Sequence, residues 1–221
     1  MIKISMSHNL ELASLYKKLE DAFAKSNIKV IAESNKYEWN YSLLATPFYK
    51  NSLVVVGFNF GTIENQVYQK QQVDDVPTEN WSEQKDLGSL IRIKKYLNDY
   101  CPEYNQEQIV QTNYCFFRSK AEDQISENDI KLCQPIFNRL IELLDPKFIL
   151  CLSSKLLGYI EKERSSEFTT KEINLSKRKI LIARGHLKIN SRDVPFGYIP
   201  HPNYPMKKES RQEAWKFVFN K

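Results

Sequence analysis

Three polar side chains each follow an apolar stretch of this chain, and their types suit the orientation of a water molecule or the recognition of a flat ring. Asn59 stands in Gly-Phe-Asn-Phe-Gly at residues 57–61, directly after the apolar run Leu-Val-Val-Val. Asn113 and His201 follow two later apolar stretches. A carboxamide donates and accepts hydrogen bonds without titrating, and an imidazole can stabilise negative charge near neutral pH.

Each of these residues also has a structural interpretation. Asn59 suits a turn, since asparagine tolerates the left-handed conformation, although two of only 6 glycines flank it and favour a tight functional loop. The carboxamide of Asn113 could equally form hydrogen bonds with neighbouring backbone or pair with the edge of a base. His201 fits either a hydrogen-bonded core histidine or a functional imidazole held in a fixed direction by prolines on both sides.

Other common chemistries lack their motifs. The sequence has no phosphate-cradling Gly-x-x-x-x-Gly-Lys, no Gly-x-Gly-x-x-Gly, no His-Glu-x-x-His and no Gly-x-Ser-x-Gly. Its three histidines are far apart, and its four cysteines form no Cys-x-x-Cys pair. We therefore expect no metal and no organic cofactor, and we interpret the cysteines as core thiols: Cys101, Cys115, Cys133 and Cys151.

The candidate residues need strands to position them, and the chain alternates strand patterns with amphipathic helix patterns. Strands are predicted at residues 52–58, 109–116, 147–152, 179–187 and 195–200. Helices are predicted at 9–25, at 82–100, from a Ser126 capping box to Leu144, from Ser153 or Ser154 to about Glu163, and at 208–219. The polar residues 62–81 predict a long loop. This order predicts one α/β domain over residues 1–221, with a central, mostly parallel sheet of about four strands and helices on both faces.

Composition and charge limit the class of protein. With 221 residues, 42% hydrophobic and 27% charged, the chain is typical of a globular domain, and we expect a cytoplasmic protein without membrane association. Residues 147–221 hold 16 Lys and Arg against 7 Asp and Glu, whereas residues 1–146 hold 16 against 20. This basic final third indicates either a surface that faces a polyanion or a solvated basic face without a partner.

The ordered motifs resemble the uracil-DNA glycosylase superfamily, and within it most closely the single-strand-selective monofunctional type and its mismatch-specific relatives. Those proteins carry Gly-x-Asn-Pro-Gly, Asn-x-Cys and His-Pro-Ser after successive strands. This chain has Gly-Phe-Asn-Phe-Gly at 57–61, Asn-Tyr-Cys at 113–115 and His-Pro-Asn at 201–203. The resemblance covers roughly residues 40–206, with Phe60 in the place of proline and Asn203 in the place of serine.

The resemblance implies a role for each matching residue. Asn59 would position the attacking water, Asn113 would pair with a base flipped into a pocket, and His201 would stabilise the leaving uracil anion. Further base-pocket residues would be Gly57, Phe60, Gly61 and Tyr68, although the family's usual stacking position falls among Gln71, Gln72 and Val73. DNA contacts would come from Asn203, Met206 as an apolar wedge, Lys207 and Lys208.

The expected function is therefore a monofunctional DNA N-glycosylase, a hydrolase of base-excision repair that binds uracil- or damage-containing DNA as a monomer. The main alternative is a catalytically weak or inactive member of the same fold that binds DNA or a base without cleavage. A third interpretation is a pocket for a small nucleotide, in which case salt-sensitive DNA binding would be absent.

Overall fold

The computed structural model describes residues 6–61, 67, 69–81, 83–84, 90–104, 106–174 and 179–220, and the backbone alone for residues 6–8, 106 and 160–167. Its helices are α1 (Met6–Ala24), α2 (Asn27–Asn35), α3 (Ile91–Tyr100), α4 (Glu127–Leu144), α5 (Ser154–Arg164) and α6 (Lys208–Val218). Its strands are β1 (Leu53–Gly61), β2 (Val110–Ser119), β3 (Phe148–Cys151), β4 (Ser165–Asn174), β5 (Lys179–Ile189) and β6 (Arg192–Tyr198).

The described strands form one mixed sheet in the order β2-β1-β3-β6-β5-β4. The first four of these are mutually parallel, whereas β5 is antiparallel to both β6 and β4. The α/β class predicted from the sequence is confirmed. The prediction of about four strands is wrong, because the described sheet has six.

The two outer strands extend the sheet beyond β6. The β5–β6 hairpin turns at Asn190 and Ser191, whose φ angles of 49° and 62° match the mirror-image turns that suit twisted hairpins. The sequence predicted β5 but missed β4, since Ser-Ser-Glu-Phe-Thr-Thr-Lys-Glu-Ile-Asn at residues 165–174 carries few apolar residues. An edge strand with water on one side needs only that weak pattern.

Helices cover both faces of the sheet, as the sequence predicted. Alternate residues of β1 face opposite sides. Val54 and Val56 join a core cluster with α1, α2, α4 and α5. Leu53 and Val55 join a second cluster with α3 and α6. Burial of such near-continuous apolar strands on both faces is typical of parallel sheets.

Residues 40–46 cover the outer edge of β2. The Ser42 amide donates to the Phe116 carbonyl (3.0 Å), and the Ala45 amide donates to the Gln111 carbonyl (2.9 Å). The Thr112 hydroxyl donates to the Leu43 carbonyl (2.7 Å). This edge is therefore hydrogen-bonded rather than open to another strand.

Two smaller sequence predictions are confirmed. Ser126 and Asp129 form the capping box of α4: the Ser126 side chain accepts from the Asp129 amide, and the Asp129 carboxylate accepts from the Ser126 amide (2.9 Å). The four cysteines are all buried free thiols. Of the helices in the described ranges, none combines the length and the apolar character that crossing a bilayer requires.

Candidate functional site

The site lies at the carboxyl edge of the parallel strands. Asn59 is near the end of β1, Asn113 is in β2, and His201 follows β6 by three residues. In β1, Gly57 and Asn59 continue the alternation of Leu53 and Val55, and so face the side of the sheet covered by α3 and α6. Ligands of open α/β sheets bind at this edge.

Gly57 and Asn113 are direct partners across β1 and β2. A Cβ atom added to Gly57 would come within 2.1 Å of Asn113 Oδ1. The carboxamide therefore lies against the glycine backbone, in space that any other residue at position 57 would fill. Asn113 is 6% exposed, and within the described part of the chain its carboxamide has no hydrogen-bond partner. A buried amide in that state has its full pairing capacity left for a ligand.

Asn59 is half-buried, and both protons of its amide are engaged. Asn59 Nδ2 donates to Ser119 Oγ (2.8 Å) and to the Phe60 carbonyl (3.1 Å). The remaining polar atom, Oδ1, is an acceptor with no described donor. This arrangement suits the orientation of a water molecule by accepting one of its protons.

The turn after β2 supports this network. The Ser119 hydroxyl donates to the Ala121 carbonyl (2.8 Å). Gln124 Oε1 in turn accepts from the amides of Lys120 (2.9 Å) and Ala121 (3.1 Å). The sequence did not indicate Ser119, since the predicted strand ended at residue 116 and only the register of β1 against β2 shows that Ser119 reaches Asn59.

His201 is held in a turn whose Tyr204 amide donates to the His201 carbonyl (2.9 Å). The Asn203 amide donates to His201 Nδ1 (3.4 Å), so the proton of the neutral ring lies on Nε2. Desolvation lowers the pKa of His201 below its usual 6.5, and the Glu122 carboxylate partly opposes this shift. The ring is therefore neutral at pH 7 and able to donate through Nε2. Arg92 of α3 secures the turn by donating to the Pro202 carbonyl (3.1 Å).

A charged group follows Ser119 at the same edge. Glu122 pairs with Lys155 at the start of α5 (3.8 Å), and Lys155 lies over the ring of Phe58 (5.2 Å). The neighbouring Ser154 shares a side-chain hydrogen bond with Tyr198 at the end of β6. These contacts tie the turn after β2 to the strand that leads to His201. Sequence reasoning missed both Glu122 and Lys155, because nothing in their local pattern marks them.

Phe60 and Gly61 have different placements. The Phe60 ring is 8% exposed and packs in the core cluster on the opposite face from Asn59, with the Arg118 guanidinium 5.3 Å from its centre. The structure therefore does not bring Phe60 to Asn113. Gly61 is exposed, and its carbonyl accepts from Arg118 (3.2 Å). Tyr68, the other predicted base-pocket ring, lies outside the described residues.

The polar residues at the usual stacking position serve the fold instead. Gln71 Oε1 accepts from the hydroxyl of Tyr16 (2.9 Å) and from the amides of Leu43 (2.8 Å) and Leu44 (3.1 Å). These hydrogen bonds hold the chain around Gln71 against α1 and against residues 40–46, which cover the outer edge of β2. Gln71 is thus a structural amide.

The predicted DNA contacts follow His201 in the chain. Asn203, Lys207 and Lys208 are exposed. Met206 is half-buried against the cluster formed by β4, β5 and α6. As it stands, Met206 packs against the protein, and its role as a wedge stays a prediction. Among the described residues, no three His, Cys, Asp or Glu side chains converge in a way that would hold a metal ion.

Comparison with known proteins adds no family assignment: no family model matches the chain, and no curated protein matches it either. The residues at the carboxyl edge and their geometry are therefore the basis for a function.

Proposed function

We propose that this protein is a monofunctional DNA N-glycosylase that hydrolyses the bond between deoxyribose and uracil, or a related damaged base. The observation that carries the proposal is the fit of Asn113 over Gly57, beside Asn59 on the same face of β1. A buried carboxamide with no partner among the described residues offers adjacent donor and acceptor groups, and these match the Watson–Crick edge of a pyrimidine.

In the proposed reaction, His201 acts on the departing base and Asn59 acts on the attacking water. Cleavage of the glycosidic bond leaves positive charge on the sugar and negative charge on the base. His201 Nε2–H donates to the base and stabilises the uracil anion. A water oriented by Asn59 Oδ1 adds to the anomeric carbon, and its surplus proton passes to solvent. The released base then takes up a proton from solvent, which leaves an abasic site.

A neutral His201 supports this division of work. Because the pKa of His201 is lowered, the uncharged ring is favoured at pH 7, and its Nε2–H can donate to the base. The parallel order β2-β1-β3-β6, with Asn59 near the end of β1, Asn113 within β2 and His201 just after β6, is also consistent with the resemblance seen in the sequence.

One observation favours the alternative, a member that binds DNA or a base without cleaving it. Phe60 packs on the opposite face of β1, so it offers no ring to the base beside Asn113. Without a stacking contact from Phe60, a flipped base is held less firmly, since stacking contributes about 1–3 kcal/mol per base.

The proposal is tested by incubating the protein with oligonucleotides that carry one uracil and measuring free uracil by mass spectrometry. The expected result is release of uracil at a rate that falls by orders of magnitude in both Asn59→Ala and His201→Ala. Salt-sensitive binding of the same DNA without any release would favour the non-cleaving alternative, and unchanged rates in both variants would contradict the assigned mechanism.

A further inference from the structure

The orientation of the Asn59 amide decides whether it can hold a water through its oxygen. The two atoms facing its Nδ2 are both acceptors. The Phe60 carbonyl is one of them, at 3.1 Å. Ser119 Oγ is the other, at 2.8 Å, and it accepts because its own proton is committed to the Ala121 carbonyl. If the amide were flipped, Oδ1 would face two acceptors, which is repulsive.

Ser119 is suited to enforce this choice. It is 1% exposed, and the carbonyl to which it donates belongs to a turn held by the Gln124 side chain. The hydroxyl therefore has one partner for its proton and presents its lone pair to Asn59. A buried hydroxyl fixed in this way has little freedom to rotate.

From this chain of contacts we propose that Ser119 is a positioning residue, which fixes Asn59 with its oxygen directed toward the attacking water. The inference rests on the proposed function, because it assigns Ser119 to the same hydrolytic step. Ser119 itself does not touch the substrate. It acts through Asn59 and leaves the binding of the base to Asn113.

The first test compares Ser119→Ala with a matched control, Ser52→Ala. Ser52 is a buried serine at the other end of β1, 4% exposed, and its hydroxyl also donates to a backbone carbonyl, that of Tyr49 (3.1 Å). We expect Ser119→Ala to lower kcat for uracil excision by about tenfold to a hundredfold with KM unchanged, the scale of a small misplacement of a reacting group. Ser52→Ala should keep the wild-type kcat.

A double-mutant cycle separates positioning from general damage to the fold. In an Asn59→Ala background, the Ser119→Ala change should alter kcat by less than about twofold, because its partner is already gone. If the two changes multiply independently, the positioning role is wrong. Should Ser119→Ala fail to fold, Ser119→Cys carries the same expectation, since a thiol is only a weak donor and acceptor.

A readout without catalysis keeps this inference distinct from the proposed function. In NMR spectra the side-chain amide protons of Asn59 should exchange slowly with solvent in the wild type, and should lose that protection in Ser119→Ala but not in Ser52→Ala. Absence of uracil release with this pattern would contradict the function and leave the positioning role standing. Equal exchange in all three proteins would overturn the positioning role.

Discussion

At the scale of single residues, the site depends on close approaches that only certain side chains allow. Gly57 leaves the space that the Asn113 carboxamide occupies, and the Asn203 amide selects the tautomer of His201. The chemistry of the site is thus set by contacts that fix where a donor or an acceptor points, and each contact can be removed separately.

The first prediction concerns the glycine beneath Asn113. Gly57→Ala places a Cβ atom 2.1 Å from Asn113 Oδ1, so the carboxamide must move. We expect kcat/KM for uracil excision to fall at least about tenfold, with a loss of about 1–3 kcal/mol in the free energy of unfolding from overpacking. Steady-state kinetics and urea denaturation measure the two effects.

Gly158→Ala is the matched control, because a Cβ atom there meets nothing within 4 Å and the residue lies inside α5, where alanine is favoured over glycine. It should retain activity and lose no stability. A Gly57→Ala variant as active as Gly158→Ala would show that the position of Asn113 does not matter for the reaction.

The second prediction concerns the charge beside His201. Glu122 raises the pKa of His201 against the larger effect of desolvation, so Glu122→Gln should lower that pKa further. NMR titration of the His201 ring measures the change. Asp123→Asn removes the same charge one residue away and should shift the His201 pKa less. An equal shift in both variants would mean that Glu122 has no specific influence on the ring.

The sign of the linked stability change follows from the same shift. The pKa of His201 is lower in the folded protein than its usual 6.5, so the unfolded chain binds the proton first as the pH falls. The contribution of His201 to stability is present above pH 6.5 and is lost as the pH falls toward the folded-state pKa. Urea denaturation at pH 7.5 and at pH 5.5 measures this effect. Between these two pH values, the free energy of unfolding should fall less in His201→Gln than in the wild type.

At the scale of the elements, four parallel strands end at the site, and β6 leads directly into the turn that carries His201. α6 packs on β6 beside this turn. Gly197 of β6 makes this packing possible, because a Cβ atom there would lie 2.1 Å from Val218 Cγ1 and 3.2 Å from the Phe148 ring.

The third prediction tests this packing. Gly197→Ala should lower the free energy of unfolding by about 1–3 kcal/mol through overpacking against α6. Combining it with Val218→Ala, which removes the nearest methyl group, should cost less than the two single changes together, with a coupling of at least about 0.5 kcal/mol. Urea denaturation of the three variants measures the coupling. Strict additivity would contradict the described contact.

Several of these elements could be predicted from sequence, and the failures have physical reasons. The buried strands and amphipathic helices have clear apolar periods, and Asn59 was recognisable as a polar group near a strand end. Asn113 was expected at a strand end, but β2 continues six residues beyond it to Ser119. β4 was missed because an edge strand needs few apolar residues. Ser119 and Glu122 were missed because their partners are distant in sequence, and only strand register and the turn after β2 bring them to Asn59 and His201.

At the scale of the whole molecule, charge is distributed unevenly along the chain. The excess of basic residues after residue 146 includes β4, β5 and α6 as well as the turn after His201. Several of these cations pair with local carboxylates, such as Lys171 with Glu213 (2.7 Å) and Lys188 with Asp193 (3.0 Å). The exposed pair Lys207 and Lys208 directly follows the His201 turn, and under the proposed function these two lysines would contact the DNA backbone.

The fourth prediction concerns this pair. Lys207→Gln with Lys208→Gln should weaken DNA binding across sequences and reduce the slope of log K against log salt concentration by about 2, roughly 1 for each lost phosphate contact. Fluorescence anisotropy at several salt concentrations measures the slope. The control is Lys17→Gln with Lys18→Gln, two exposed adjacent lysines on α1, which should leave the slope unchanged. Equal slopes in both double variants would show that Lys207 and Lys208 do not contact DNA phosphates, which would contradict the prediction.

The most direct test of the whole account is excision under single-turnover conditions. Single- and double-stranded oligonucleotides with one uracil are incubated with excess protein, and abasic sites are cleaved with alkali. We expect strand breaks at the uracil that nearly vanish in Asn59→Ala and persist in Asn128→Ala, a change of an exposed asparagine at the start of α4. No breaks with the wild-type protein, or breaks that Asn59→Ala leaves unchanged, would contradict it.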